Sequence, residues 1–253
     1  MSFHHSPKIV TDGLVFYVNP SSKKCIDKSF TGSIVNDTVK DLTNNNRIQG
    51  KQLVFDFNDK SFLMNNTDGR LSFYRDFANV SGKVTYMCSF YLPPASAFNF
   101  GTDLPFILSS YDSTKGFVIY FDSSDVPNSY IKFYISMQNG DSAVTQSPAL
   151  AQDNPSNFNK IYTVAGTLDN GVMKLYINGL LVDSLIDNNV VAAVSLDWIE
   201  IGFSEQAFYN TNALIKVYSS MIYNRALTDA EVLQNHNALK GRYKIWAHQA
   251  DQI

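Results

Sequence analysis

Apolar and polar residues alternate with a period of two along most of this chain, the signature of strands that bury one face. In the run from Tyr130 to Met137, Ile131, Phe133, Ile135 and Met137 share one face, and Tyr130, Lys132, Tyr134 and Ser136 share the other. Residues 117–121 read as the preceding strand, ended by the polar Asp122-Ser123-Ser124-Asp125, and Asn139-Gly140 after the run is a tight-turn dipeptide. Residues 160–168, 172–178 and 180–185 form a meander, with turns predicted at Asp169-Asn170-Gly171 and Asn178-Gly179. Earlier strands are expected over 13–18, 52–57, 70–74 and 84–92, the last ending at Pro93-Pro94, which cannot continue a central strand.

One segment breaks this rhythm. Thr228-Asp229-Ala230-Glu231 is a capping box, with Leu227 and Val232 placed as a hydrophobic staple. The helix it opens is expected to run to about Lys240 and stop at Gly241, turning Val232, Leu233, His236 and Leu239 toward a sheet. No linker and no internal repeat divides the chain. The pattern predicts an all-β fold, a single two-sheet antiparallel sandwich with one short C-terminal helix.

Composition narrows the function. The 253 residues carry 20 basic and 23 acidic side chains, a net charge of -3, which argues against a phosphate-neutralising nucleic-acid binder. No stretch reaches the roughly 18 consecutive apolar residues of a spanning helix, so no membrane insertion is expected. Charged residues are 17% and aromatic ones 13%, a surface polarity carried by neutral groups, as on faces that meet proteins or sugars. Two cysteines, Cys25 and Cys88, set no disulfide framework and are expected to be free thiols. The first residues lack a basic region followed by an apolar core, so no signal peptide is expected and synthesis is placed in a cytoplasm.

Catalytic chemistry finds little support. A retaining glycoside hydrolase needs two carboxylates about 5–5.5 Å apart. The three glutamates are Glu200, Glu205 and Glu231; the last belongs to the capping box, and the first two, five apart, would face opposite ways on one strand. There is no Gly-x-Ser-x-Gly elbow, no zinc spacing and no phosphate-binding glycine loop, so no catalytic residue and no cofactor is assigned. Asp56-Phe57-Asn58-Asp59 and Asp122-Ser123-Ser124-Asp125 hold oxygen ligands of the kind calcium takes, but Asp and Asn are also ordinary turn residues, and no metal site is assigned. Tyr120, Tyr130, Lys132, Tyr134, Lys174 and Tyr176 fall opposite the apolar rows, where tyrosines suit a sugar ring, a protein partner or a covering layer.

The C-terminal third resembles the concanavalin A-like (laminin G-like) jelly-roll superfamily. The resemblance is carried by residues 161–171, by Lys174-Leu175-Tyr176-Ile177-Asn178-Gly179, by Ile199-Glu200-Ile201-Gly202, and by residues 222–232. Residues 7–17 and 234–243 further resemble the start and finish of laminin G-like virion proteins of tailed bacteriophages, although Val18-Asn19-Pro20-Ser21 replaces that group's acidic segment. The likeness implies a jelly-roll domain over 13–241, between an N-terminal arm (1–12) and a C-terminal tail (242–253). It implies a non-enzymatic virion protein that contacts other virion proteins in a homo- or hetero-oligomeric assembly and aids adhesion to host-surface glycans. A dedicated carbohydrate-binding lectin domain is the alternative. Tyr243, Ile245 and Trp246 in the tail are too apolar for a solvated end and are expected to dock it.

Overall fold

The computed structural model describes residues 7–26, 39–43, 47–51, 54–56, 59–64, 70–80, 82–100, 105–110, 116–136, 142–190, 194–202 and 215–250. Two antiparallel sheets stack face to face. The first runs in the order β14 (Leu180–Ile186), β13 (Val172–Ile177), β12 (Lys160–Asp169), β6 (Lys83–Leu92), β16 (Ile215–Tyr223), β4 (Ser61–Met64) and β3 (Val54–Asp56), with β1 (Leu14–Val18) also paired to β16. The second runs β10 (Ser142–Gln146), β9 (Asn128–Ser136), β8 (Gly116–Asp122), β7 (Phe106–Ser109), β15 (Val194–Ile201), β5 (Arg70–Val80) and β2 (Arg47–Lys51), with β11 (Leu150–Ala151) beside β9.

The apolar rows read from the alternation meet between the sheets. Ile131, Phe133 and Ile135 of β9 and Phe117, Ile119 and Phe121 of β8 pack with Val84, Cys88 and Phe90 of β6 and Val164 of β12. Tyr86 stacks on Phe117 at 5.3 Å between ring centroids and donates its hydroxyl to Ser110 Oγ at 2.7 Å, so the buried phenol is satisfied. Gly166 lies under the Phe133 ring: a Cβ built there would meet the ring 2.2 Å away. A strand interior takes glycine where another group must approach this closely. Cys25 and Cys88 are buried free thiols, and burial pushes the Cys25 thiol up to about 12, which leaves it unreactive. The Asn178-Gly179 hairpin has both residues at positive φ (53° and 83°), as a type I′ turn demands; Asn139-Gly140 lies outside the described residues.

A helix, α1 (Asp229–Ala250), lies on the other side of the first sheet and makes a third layer. Its start follows the capping box: the Glu231 N–H donates to Thr228 Oγ1 at 3.3 Å, and the Thr228 N–H donates to Glu231 Oε2 at 2.9 Å. Arg225 grips the same carboxylate with two nitrogens, at 2.6 and 2.9 Å. That guanidinium, against a smaller opposing effect of burial, pulls the Glu231 carboxyl down from 4.5 to about 2. Because the folded value lies below the unfolded one, the stabilisation is present above about pH 4.5 and is lost as pH falls toward 2. Glu231→Gln is therefore expected to melt lower than the parent at neutral pH, with the two melting temperatures converging as a scan approaches pH 2; a constant gap would refute the assignment.

Two features of α1 differ from the sequence expectation. The helix does not stop at Gly241 but continues to Ala250, because the next turn brings Tyr243 into the covered face. Glycine in a helix interior costs about 0.5–1 kcal/mol relative to alanine, less than burying an aromatic ring returns. Leu233 does not face the sheet and is 40% exposed, beside the Gly179 turn; the buried stripe is Val232, Asn235, Leu239 and Tyr243. Asn235 is fully buried and joins the two ends of the described chain. Its Oδ1 accepts from Val10 N–H at 2.8 Å and its Nδ2 donates to Tyr223 Oη at 2.9 Å, while that phenol donates to the Val10 carbonyl. His236 is half-buried, as expected, and burial lowers its pKa.

Candidate functional site

The face of the second sheet turned away from the core between the sheets gathers four of the six residues singled out from the alternation. On β8 and β9, Tyr120 stands opposite Lys132, Asp122 opposite Tyr130 and Val118 opposite Tyr134. Tyr120, Tyr130, Lys132 and Tyr134 are all half-buried, so each offers part of its surface. Lys132 Nζ donates to Asp122 Oδ2 at 2.6 Å and sits 5.4 Å from the Tyr130 ring centroid, which fixes its long side chain between carboxylate and ring. Asp122 also accepts from the Ser124 N–H and hydroxyl. Burial disfavours its charge, but Lys132 and Ser124 outweigh that and hold the carboxyl below the usual range. Phe106 of β7 flanks Tyr120 at 5.6 Å.

Register continues the face across the sheet. Ser72, Glu200, Ser109, Val118, Tyr134 and Val144 form one transverse row, and Phe106, Tyr120, Lys132 and Gln146 another. The first row grades from buried at Glu200 and Ser109 to 41% exposed at Val144. The buried Glu200 carboxylate accepts from Ser72 Oγ at 3.4 Å, and the facing Ser109 Oγ has no hydrogen-bond partner. Glu205 lies outside the described residues.

Lys174 and Tyr176 belong elsewhere. They sit on the helix side of the first sheet, where Tyr176 Oη donates to Asp229 Oδ1 at 2.7 Å and Lys174 Nζ reaches the same oxygen at 3.0 Å. Tyr176 is fully buried in the layer under α1, so it is no contact residue for a ligand. Tyr243 is likewise withdrawn: it is 5% exposed, packs on Tyr218 at 4.9 Å and donates to Ser219 Oγ at 3.0 Å. The side chains of Ile245 and Trp246 lie outside the described residues. The two acidic clusters weighed for calcium turn to cations of the chain itself: Asp56 and Asp59 both contact Lys216, and Asp122 holds Lys132.

Sequence reasoning missed Phe106 and the Ser72–Glu200–Ser109 end of the face. Phe106 had a signal, the apolar Phe106-Ile107-Leu108 run after Pro105, which marks a short buried strand. Glu200 had half a signal: Ile199-Glu200-Ile201 sets it opposite the core row, but which strands flank β15 is not a local property.

A two-sheet antiparallel sandwich with one C-terminal helix is the fold expected from the alternation, the capping box and the likeness. A family model described as the concanavalin A-like lectin/glucanases superfamily matches residues 95–233. The chain belongs to that superfamily. Comparison with curated proteins finds no match. Among solved structures, the superfamily fold is shared with the ligand binding domain of botulinum neurotoxin serotype D in complex with N-acetylneuraminic acid (TM-score 0.65, 15% identity, 90% of this chain and 51% of that one). It is shared with the binding domain of botulinum neurotoxin DC in complex with rat synaptotagmin II (TM-score 0.65, 15% identity, 91% and 52%). It is shared too with the binding domain of Paraclostridial Mosquitocidal Protein 1 (TM-score 0.64, 19% identity, 89% and 52%). The chain spans about half the length of these structures.

Proposed function

We propose that this concanavalin A-like domain is a non-catalytic recognition module whose ligand lies on the β7–β10 face. The observation that carries the reading is the group Tyr120, Tyr130 and Tyr134 around the Lys132–Asp122 ion pair, on a face away from α1, the helix that packs on the first sheet. Aromatic rings accept the C–H face of a sugar, and an ordered ammonium–carboxylate pair offers donors and acceptors to its hydroxyls. Two neighbours of the same fold carry binding functions in their descriptions, one with a sialic acid and one with a protein bound. Of the two glutamates among the described residues, Glu231 is held in the helix cap and Glu200 is buried against Ser72, so the two form no open glutamate pair.

In this reading the domain is a tailed-phage virion component, made in the host cytoplasm, that attaches to other virion proteins and aids adhesion to host-surface glycans. The likeness of residues 7–17 and 234–243 to such proteins supports the assignment, and those two segments pack against each other through Val10 and Asn235. Val10 of the arm and Tyr243 of the tail are packed into the layer under α1, so Ile245 and Trp246 are then the tail side chains left to meet the particle. A glycan array is the test of the ligand face. The intact chain is expected to bind one saccharide class, and Tyr130→Ala or Tyr134→Ala to weaken that binding at least about tenfold with unchanged melting temperature. Silence across the array, or binding indifferent to both substitutions, would overturn the glycan reading; particles lacking the chain in a virion density map would overturn the virion one.

A further inference from the structure

The strands of the candidate face carry little positive charge. Residues 106–146, which run from β7 through β10, hold two lysines, Lys115 and Lys132, against four aspartates, Asp112, Asp122, Asp125 and Asp141. Lys132 is the basic residue of these strands among the described residues, and it is already engaged. Its ammonium pairs with Asp122 at 2.6 Å, and the two side chains are only 18% and 9% exposed, so water and salt screen them weakly. Asp122 is held from a second direction as well. Its Oδ1 accepts from the Ser124 N–H at 2.9 Å and from the Ser124 hydroxyl at 2.6 Å. Swinging away to yield Lys132 to another anion would break both bonds. At the far end of the Phe106–Tyr120–Lys132–Gln146 row, Asp183 of β14 accepts the Gln146 N–H at 2.9 Å and adds one more carboxylate to the border of the face.

Resting on the reading of this face as a glycan site, we infer that its ligand is a neutral saccharide and that Asp122 is the residue that excludes acidic ones. A sugar hydroxyl both donates and accepts, so it can bridge the ion pair, accepting from Lys132 Nζ while it donates to the Asp122 carboxylate. The carboxylate of a sialic acid, or a sulfate ester, only accepts. Either would approach the ammonium beside an anion already bound there, and the repulsion of Asp122 offsets the attraction of Lys132. The tyrosine rings contribute contact with C–H groups and carry no charge that would restore the balance. Selectivity of this kind comes from an element that repels the wrong ligand as much as from contacts to the right one. Burial works against the Asp122 charge, but Lys132 and Ser124 outweigh it and keep the carboxyl below its usual range. The exclusion is therefore in force at neutral pH.

An array of neutral oligosaccharides and their sialylated and sulfated counterparts, probed with the intact chain, tests the inference. The parent is expected to bind neutral members at least about tenfold more tightly than their acidic counterparts, with an affinity indifferent to salt. Asp122→Asn keeps the size of the side chain and releases the ammonium, so acidic members are expected to gain about tenfold, and that gain to fade as salt is raised. Asp122→Ser should shift the preference in the same direction, which separates the loss of charge from any effect of the amide; melting temperatures show whether the variants are folded, and the parent's own ratio decides the inference where one is not. A parent that prefers sialylated or sulfated members, or saccharides bearing a free ammonium, overturns the inference, and so do folded variants as selective as the parent. In those cases the glycan reading still stands, provided Tyr130→Ala weakens the binding observed. Silence of the parent across the whole array overturns both.

Discussion

Gly166→Ala is expected to destabilise the protein by about 1–3 kcal/mol, and Gly166→Val by more, through overpacking rather than lost contact. Gly166 sits in the middle of β12, between β13 and β6, so the strand cannot retreat without disturbing its neighbours. The Phe133 ring above it cannot retreat either, since it lies 6.3 Å from Phe117 and 6.4 Å from Tyr86, centroid to centroid. A methyl group would have to occupy space within 2.2 Å of a ring carbon. Phe133→Ala removes that ring and leaves a cavity, at about 3–5 kcal/mol. The two changes share one space, so Gly166→Ala combined with Phe133→Leu should cost less than the sum of the single changes. Urea titrations of the parent, the single variants and the double variant measure all of this; additive costs, or a Gly166→Ala midpoint equal to the parent's, would show that the ring does not fill the glycine's place.

Deleting residues 242–253 is expected to lower stability rather than merely remove a docking tail. Tyr243 closes the layer between α1 and the first sheet, against Tyr218, and Arg242 donates to Tyr17 Oη at 3.3 Å. Tyr243→Ala alone should cost about 3–5 kcal/mol, the range for large buried aromatics, and Tyr243→Phe about 1 kcal/mol for the lost hydrogen bond to Ser219. Thermal melts separate the roles. If the truncated chain melts with the parent, Tyr243 contributes nothing to the core and the whole tail is free for docking.

Both expectations depend on contacts far apart in sequence, which is where reading the chain by period succeeds and stops. β9 and β13 were legible because each alternates buried with half-buried residues over much of its length, and a period of two survives in the sequence. β16, an interior strand of the first sheet, was not. Val217 and Ile222 face the other sheet while Tyr218 and Met221 face α1, so both sides are apolar, and a register shift between Val217 and Ser219 breaks the alternation further. A strand buried on both faces has no polar side to announce it.

The candidate face shows the same division. Alternation by itself established that Tyr130, Lys132 and Tyr134 lie opposite the core row of β9, and equally that Lys174 and Tyr176 lie opposite that of β13. Turn dipeptides located the hairpin corners, and the capping box the start of α1, because these depend on atoms within a few residues of each other. Only the tertiary structure decided which polar-looking face meets solvent. The helix returns over the first sheet, where Asp229 takes Tyr176 and Lys174, and not over the tyrosines of β8 and β9. Nor could the residues near Gly241 reveal that the helix would continue, since Tyr218 and Ser219 supply the reason from another strand. Local sequence sets the side a residue takes within its own strand; what lies over that side is set by the packing of segments from 24 to 55 residues away in the cases above, and no period along the chain encodes it.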